Sequence, residues 1–253
     1  YGADQKLLLM RDVTERLRLC KRRRDFVANA SHELRSPLTV INGYLDAIAD
    51  DDSIPDTWKN PVAQMRAQAA RMRQILGELL ELSRLESAGP SKSDEAVDVN
   101  GLMENSIQAF GGHTYVANIV VDATSTAKLK GNRAEIETVI VNLLSNALRY
   151  TPADGEITIS WRSGEDGADL AVSDTGEGID PENIPRLTER FFRIDKGRSR
   201  EDGGVGLGLA IVKHVLARHQ AELFITSEPG VGSEFRCHFP AERLVVPDPA
   251  QLS

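Results

Sequence analysis

The stretch FVANASHELRSPLTVINGY, from Phe26 to Tyr44, places one histidine within a helical hydrophobic pattern. Apolar residues recur at spacings of three and four on both sides of His32, as on one face of an α-helix. At about 100° per residue, His32 points away from that face, toward water. Glu33 follows directly, and Ser36 and Pro37 lie one turn further on. A neutral imidazole whose second nitrogen has an acceptor such as Glu33 is a competent nucleophile, although an isolated surface histidine is more often incidental.

A second helical pattern follows the first. Asn60 and Pro61 are residue types that cap and begin helices, and they predict a helix start at this point. Because the DDDSIP segment at 50–55 separates the two patterns, we expect an antiparallel helical hairpin. One hairpin leaves its apolar face half covered, so the sequence predicts a homodimer that forms a four-helix bundle. The apolar positions of the second helix are Val62, Met65, Ala69, Met72, Leu76 and Leu79.

Composition limits the class of protein. The chain has 253 residues, of which 41% are hydrophobic and 27% charged, so it is long enough to bury a core. A net charge of −8 argues against a general nucleic-acid-binding surface. Cys20 and Cys237 are far apart and predict neither a disulfide framework nor a zinc site. The chain begins at Tyr1 rather than methionine, and we expect it to be a piece of a longer protein.

The pattern changes near residue 90. The segment SAGPSKSDE, from Ser87 to Glu95, has the composition of a linker. Beyond it, segments with period-two alternation are mixed with helical segments without regular β-α-β order, which predicts an α+β sandwich with helices on one sheet face. We expect strands at 117–123, 156–162, 168–174, 221–227 and 233–239, and helices at 98–110, 132–150 and 207–219.

Two clusters in this second region have side chains suited to a nucleotide. Asn142 and Asn146 in NLLSNALRYTP lie on one helix face, where two amide oxygens could hold a magnesium ion, and Arg149 follows one turn later. Asparagines on a solvated helix face are the alternative. The turn DTGEGI begins with Asp174, whose carboxylate could accept a hydrogen bond from the exocyclic amine of adenine. Turns of this composition are common on their own.

Two further clusters would complete such a site. The segment GGVGLGLA, at 203–210, places glycines before a helix whose amides could bind phosphates. It fits neither the P-loop nor the dinucleotide fingerprint, and a flexible loop is an equal alternative. The preceding segment RFFRIDKGRSREDGG, at 190–204, is basic within an acidic region and is typical of a lid over phosphates. A solvated charged loop is the other interpretation.

The order of these motifs resembles a known family. SHELRSPL, NLLSNALRYTP, DTGEGI, ERFFR, GGVGLGLAI and SEPGVGSEF occur in the order and approximate spacing of the H, N, G1, F, G2 and last glycine boxes of two-component sensor histidine kinases. The resemblance covers roughly residues 20–240. RRRDFVANASHEL is similar in particular to the phosphate-regulon sensors. The resemblance to sensor histidine kinases implies a helical phosphotransfer hairpin followed by a Bergerat-type ATP-binding sandwich.

The resemblance also implies roles for individual residues. His32 matches the phospho-accepting histidine and Glu33 its acidic partner, while Asn146 and Asn142 match the Mg²⁺ ligands. Ser36 stands where the family usually has threonine or asparagine, and Ser233 where it usually has threonine. The positions implied to bind ATP are Asn142, Asn146, Arg149, Tyr150, Asp174, Gly176, Gly178, Ile179, Phe192, Arg193, Lys196, Gly204, Gly206, Leu207, Gly208 and Ser233.

The domains and partners follow from the same resemblance. We expect the end of a PAS-like domain and a signalling helix at 1–21, a dimerisation hairpin at 22–90, a catalytic domain at 91–246 and a tail at 247–253. The expected activity is ATP-dependent autophosphorylation of His32, then phosphotransfer to an aspartate of a response-regulator receiver domain, with phosphatase activity toward that regulator. The chain would be the cytoplasmic part of an inner-membrane-anchored sensor, attached through segments outside this sequence.

Two other classes share part of this pattern. A conformational ATPase of the gyrase or chaperone type would use a carboxylate near position 142, where this chain has asparagine. A dimeric scaffold that only binds nucleotide would need no nucleophile. In both classes His32 would be unexplained.

Overall fold

The computed structural model describes residues 34, 36–51, 53–91, 95–110, 117–194 and 204–245. The chain divides into two compact units, with the division between Ser87 and Ala88. Each unit has its own elements and is described by itself. Among the residues described, no helix has the length and apolar character that crossing a membrane requires.

The described part of the first unit contains two helices, α1 at residues 36–49 and α2 at Asp56–Ser87. Helix α2 begins one turn earlier than predicted, so the predicted start at Asn60 is wrong and Pro61 lies inside the helix. Asp56 contributes a favourable negative charge to the first turn and pairs with Lys59 at 2.7 Å. Pro61 lies in the second turn, where its missing amide hydrogen removes one i→i−4 hydrogen bond of the helix.

The two helices of the first unit bury only part of their apolar surface. Leu38, Leu45, Val62 and Ala69 are buried, and Asn42 is buried with its amide donating to the Leu38 carbonyl at 2.7 Å. Asp46 of α1 pairs with Arg66 of α2 at 3.0 Å, which joins the two helices. The apolar side chains that remain exposed along the hairpin include Leu34, Ile41, Ile48, Met65 and Met72, and Trp58 near the start of α2 is also exposed.

Within its described residues, the second unit contains three α-helices and two sheets. The helices are α3 (Val99–Phe110), α4 (Arg133–Tyr150) and α5 (Gly208–Arg218). The strands are β1 (Glu95–Val97), β2 (Asn118–Ala123), β3 (Lys128–Gly131), β4 (Glu156–Ser163), β5 (Gly167–Asp174), β6 (Glu222–Glu228), β7 (Gly232–Pro240) and β8 (Leu244–Val245).

A five-stranded sheet forms the body of the second unit. Its strand order is β2-β4-β5-β7-β6, and the pairing is antiparallel except between β2 and β4. Strands β1, β3 and β8 form a separate three-stranded sheet that the sequence did not predict. The five predicted strands and three predicted helices are all present, with ends that differ by one or two residues. The predicted α+β class is confirmed.

The core lies between one face of the large sheet and the helices. Alternate residues of β4 are completely buried, namely Ile157, Ile159 and Trp161, because successive side chains of a strand point to opposite faces. The indole of Trp161 donates to the Ala127 carbonyl at 3.0 Å and meets Phe239 edge-on at 6.1 Å between ring centroids. Helices α4 and α5 pack against each other on this face, so α4 is held with its C-terminal half beside the start of α5.

Candidate active site

Helix α4 presents the predicted asparagines and arginine along one face. Asn132 caps the helix by accepting the Glu135 amide at 3.2 Å, and Leu143, Leu144 and Ala147 bury the opposite side. Residues 142, 146 and 149 follow at spacings of four and three, so their half-buried side chains share a face. This face is polar on a helix whose other side belongs to the core.

The glycine turn before α5 lies directly against that face. A β-carbon added at Gly208 would lie 2.5 Å from Oδ1 of Asn142, and one at Gly204 would overlap the Arg149 guanidinium. The Asn142 amide nitrogen donates to the Thr138 carbonyl at 2.8 Å, which leaves Oδ1 directed toward the turn. The first and third predicted clusters are therefore in contact, and a side chain at Gly204 or Gly208 would displace Arg149 or Asn142.

Asp174 lies where β5 leads into a turn that contacts the C-terminal end of α4. It ends β5 opposite Ser233 of β7, and its carboxylate accepts the Gly176 amide at 2.9 Å. Burial raises the pKa of Asp174, while hydrogen bonds from the amides of Gly176 and Ser233 act in the opposite direction. A β-carbon at Gly176 would overlap the Tyr150 carbonyl oxygen, so the DTGEGI turn rests on the C-terminal end of α4.

A pair of hydroxyls lies behind Asp174. Ser233 is buried, and its Oγ lies 2.9 Å from Oγ of Ser227. The Ser227 hydroxyl also accepts the Ile179 amide at 2.8 Å. Gly178 has φ +67°, and a side chain there would overlap the Glu228 carbonyl oxygen, so the turn needs glycine at this point. Ser227 was missed by the sequence analysis, although it belongs to the quoted SEPGVGSEF motif.

The segment before the basic loop also reaches the glycine turn. The Phe191 amide donates to the Gly206 carbonyl at 2.8 Å, and Nη1 of Arg193 donates to the Gly204 carbonyl at 2.5 Å. Phe192 packs beneath the Arg186 guanidinium at 4.2 Å. Leu207, completely buried, precedes α5, and within the part of the chain described no side chain caps that helix. The amides of its first turn are therefore suited to an anionic ligand.

The structure brings together three predicted clusters and the part of the fourth that it describes. Of the remaining candidates, His32, Glu33 and Lys196 lie outside the described residues, as do the expected PAS-like segment and C-terminal tail. Ser36 lies on α1 in the first unit and is exposed. The roles of all these residues stay predictions.

Comparisons with protein families match both units. Residues 22–88 match the His Kinase A (phospho-acceptor) domain, and residues 131–243 match the family described as histidine kinase-, DNA gyrase B-, and HSP90-like ATPase. The chain belongs to the sensor histidine kinases. Its second unit is accordingly a member of the ATPase family with the Bergerat fold, and the predicted family is confirmed.

Curated relatives narrow the subfamily of this sensor histidine kinase. The chain is 48% identical over 244 residues to the phosphate regulon sensor protein PhoR of Pseudomonas aeruginosa, a match that covers 94% of the chain and 55% of the relative. It is 39% identical to the sensor-like histidine kinase SenX3 of Mycolicibacterium smegmatis, covering 96% of the chain and 62% of the relative. The likeness to phosphate-regulon sensors is confirmed, and the chain spans between half and two thirds of these relatives' lengths.

Solved structures show the same fold. Full-length ShkA in complex with AMPPNP superposes with a TM-score of 0.71 at 24% identity, covering 85% of this chain and 45% of ShkA. Acinetobacter baumannii histidine kinase AdeS gives a TM-score of 0.59 at 25% identity, covering 83% of this chain and 98% of AdeS. The arrangement of helices and sheet is thus that of solved histidine kinases.

Proposed function

We propose that this chain is the catalytic core of a sensor histidine kinase that transfers the γ-phosphoryl group of ATP to His32. One observation carries the proposal. The glycine turn at 204–208 lies against Asn142 and Arg149 of α4, and the turn that follows Asp174 lies against the C-terminal end of the same helix, as a site for phosphates at one end and adenine at the other requires. The proposed domain limits stay at 22–90 for the hairpin and 91–246 for the catalytic domain.

Within this proposal, each group has a defined task. Asp174 accepts from the adenine amine, Arg149 and Arg193 pair with phosphate oxygens, and the uncapped first turn of α5 adds amide donors. Asn142 and Asn146 would hold Mg²⁺, and the directed amide oxygen of Asn142 fits that ion, which prefers oxygen ligands. When bound, Mg²⁺ neutralises charge on the phosphates.

In the proposed phosphoryl transfer, His32 is the nucleophile and ADP is the leaving group. The lone pair of one His32 ring nitrogen forms a bond to the γ-phosphorus as the bond to the ADP oxygen breaks. The Glu33 carboxylate accepts the proton from the other ring nitrogen. The product is a phosphoramidate, and we propose that its phosphoryl group passes to an aspartate of a response-regulator receiver domain. The Ser36 hydroxyl, exposed on α1, would orient water for dephosphorylation of that regulator.

The exposed apolar face of the hairpin supports a homodimer. Ile41, Ile48, Met65 and Met72 are each more than 40% exposed in the single chain, although they lie in the stripes that the sequence predicts to be apolar contacts. Covering them with a second hairpin would complete a four-helix bundle. We propose that the receiver domain docks on this bundle.

Labelling with γ-phosphate-labelled ATP tests the proposed function. The wild-type chain is expected to gain a phosphoryl group that is stable to base and labile to acid. His32→Gln should abolish it while ATP still binds, because the nucleotide-binding groups lie in the other unit. His238→Gln, which removes a partly exposed histidine of β7, is the matched control and should label normally.

Other outcomes would identify the alternative classes. Label retained in His32→Gln would refute His32 as the acceptor. Free phosphate without labelled protein would indicate a conformational ATPase, and nucleotide binding with neither product would indicate a scaffold.

A further inference from the structure

The chain enters the second unit along the C-terminal end of α5. The Ser91 amide donates to the Arg218 carbonyl at 2.9 Å, and Nη1 of Arg218 donates to the Gly89 carbonyl. Ser91 is buried, although its sequence neighbours up to Pro90 are exposed. Both Gly89 and Ser91 belong to the second unit. One residue of α5 therefore holds this part of the linker through its backbone and its side chain.

The same guanidinium is held from its other side by α4. Nε and Nη2 of Arg218 donate to the two carboxylate oxygens of Glu135 at 3.1 and 2.9 Å. The two side chains are only 15% and 18% exposed, so the pair is largely removed from water. A bidentate pair fixes the plane of the guanidinium, which aims the third nitrogen at Gly89. Lysine could not make all three contacts.

The junction also includes the start of α4. Nδ1 of His219 lies 2.8 Å from the Val215 carbonyl, to which it must donate. Nε2 is therefore the acceptor of the Asn132 amide at 3.2 Å. Asn132 caps α4, and Glu135 lies in its first turn. The linker is thus tied to the helix that carries Asn142 and Asn146 two to three turns later.

We propose that Arg218 is a positioning residue that clamps the linker segment Gly89–Ser91 to α4 and α5. This inference rests on the proposed function, since it concerns how the catalytic unit is presented to His32. With Gly89–Ser91 fixed to the catalytic unit, the hinge between the two units lies in the chain before Gly89. The flexible part of the linker is therefore shorter than the Ser87–Glu95 segment, whose composition predicts a linker.

The test uses the whole chain with Arg218→Met, which keeps the length of the side chain but removes its guanidinium. Arg236→Met is the matched control, because Arg236 also pairs with a carboxylate, Asp169 at 3.4 Å, but on β7 and β5. Arg218→Met removes the charged hydrogen bond from the guanidinium to the Gly89 carbonyl. Amide hydrogen exchange at Ser91 should therefore speed up at least about tenfold, the size expected for losing one such bond. Arg236→Met should leave it unchanged.

Measuring kcat and KM separately distinguishes a role of Arg218 in holding the linker from a role in supporting the nucleotide site. In Arg218→Met, kcat for labelling His32 should fall at least about threefold through misplacement of the catalytic unit, while KM for ATP stays within about twofold. The proposal would be overturned by an unchanged amide exchange rate at Ser91, or by a loss of labelling activity that appears as a higher KM for ATP. If the wild-type chain labels no histidine, the proposed function fails, and exchange alone then decides whether the clamp exists.

A second variant covers the case in which Arg218→Met does not fold. Ser91→Pro removes the amide donor and leaves the Arg218–Glu135 pair intact. It should likewise lower kcat with little change in KM for ATP. Wild-type values of both constants in Ser91→Pro would contradict the clamp.

Discussion

At the scale of single residues, the candidate site depends on close contact between the glycine backbone of one element and a polar side chain of another. Asn142 and Gly208 show this best, because a β-carbon at Gly208 would lie 2.5 Å from Oδ1 of Asn142. Contact at that distance is impossible without moving the asparagine. Oδ1 of Asn142, which we propose to face Mg²⁺ and phosphate, therefore occupies a position that a side chain at residue 208 of α5 would block.

Gly208→Ala is expected to weaken ATP binding at least about tenfold, the loss of about one hydrogen bond to a charged group. Gly208 is the first residue of α5, a position where alanine is tolerated, so the variant should still fold. Calorimetric titration with ATP and Mg²⁺ measures the first effect and thermal unfolding the second. Gly164→Ala is the control, since a β-carbon there contacts nothing within 4 Å. Wild-type affinity in Gly208→Ala would contradict the described contact.

His219 makes the second unit sensitive to acid. It is completely buried, and this burial lowers its pKa below the ordinary 6.5. Below pH 6.5 the unfolded chain binds a proton that folded His219 does not, so the free energy of unfolding decreases as the pH falls, by at most about 1.4 kcal/mol per pH unit for one proton. The pKa of His214 is also lowered, by burial and by Arg190 and Lys213.

Denaturant unfolding at pH 7 and at pH 5.5 tests this expectation. The wild-type chain should be less stable at pH 5.5. His219→Gln should show a smaller decrease, with a contribution from His214 remaining. A wild-type stability that does not change between these pH values would disprove the proton linkage.

At the scale of elements, the hairpin has a face that one chain leaves uncovered. Met72 of α2 is 44% exposed, whereas Ala69 one turn before it is buried. Met72→Glu is expected to dissociate the proposed homodimer. Burying a methionine contributes roughly 1.5–3 kcal/mol, and the dimer contains two copies, so the dissociation constant should rise at least about 100-fold.

Analytical ultracentrifugation over a range of concentrations measures this effect. Ala63→Glu is the matched control because residue 63 points about 160–180° away from Met65 and Met72. It should leave the dimer intact. An unchanged dissociation constant in Met72→Glu would place the interface on another face.

The elements also show what the sequence could and could not predict. The strands of the large sheet were predictable because burial alternates along them, as Ile157, Ile159 and Trp161 show. Strands β1, β3 and β8 have two to four residues, too few for a periodic pattern, and they pair only through the tertiary fold. The early start of α2 differs from the prediction because proline is typical of a first turn, whereas Pro61 lies in the second turn of the helix.

The candidate site was predictable to a similar extent. Motif order indicated its residues, and glycine and asparagine spacing indicated their chemistry. Contacts between distant residues could not be read from local pattern. The Ser227–Ser233 pair depends on the register of β6 with β7, and the Gly89–Arg218 contact joins residues 129 positions apart.

At the scale of the whole molecule, the chain divides into two units, to which we assign separate tasks. The contacts described at the candidate nucleotide site join residues between 138 and 233, which belong to the second unit. A fragment of residues 88–253 is therefore expected to fold and to bind ATP with a dissociation constant within about threefold of the whole chain.

Titration calorimetry on the fragment and on the whole chain provides the comparison. The fragment has no His32, so it should also fail to label itself. A loss of affinity greater than about tenfold would show that the first unit contributes to the nucleotide site.

The two tryptophans of the chain are divided between the units. Trp58 is 58% exposed on α2, whereas Trp161 is sealed in the core of the large sheet. An indole in water emits at longer wavelengths than one surrounded by hydrocarbon, so each unit carries its own intrinsic fluorophore of distinct colour. A single emission spectrum, recorded without any attached dye, can therefore report separately on the hairpin and on the catalytic unit during titration or heating.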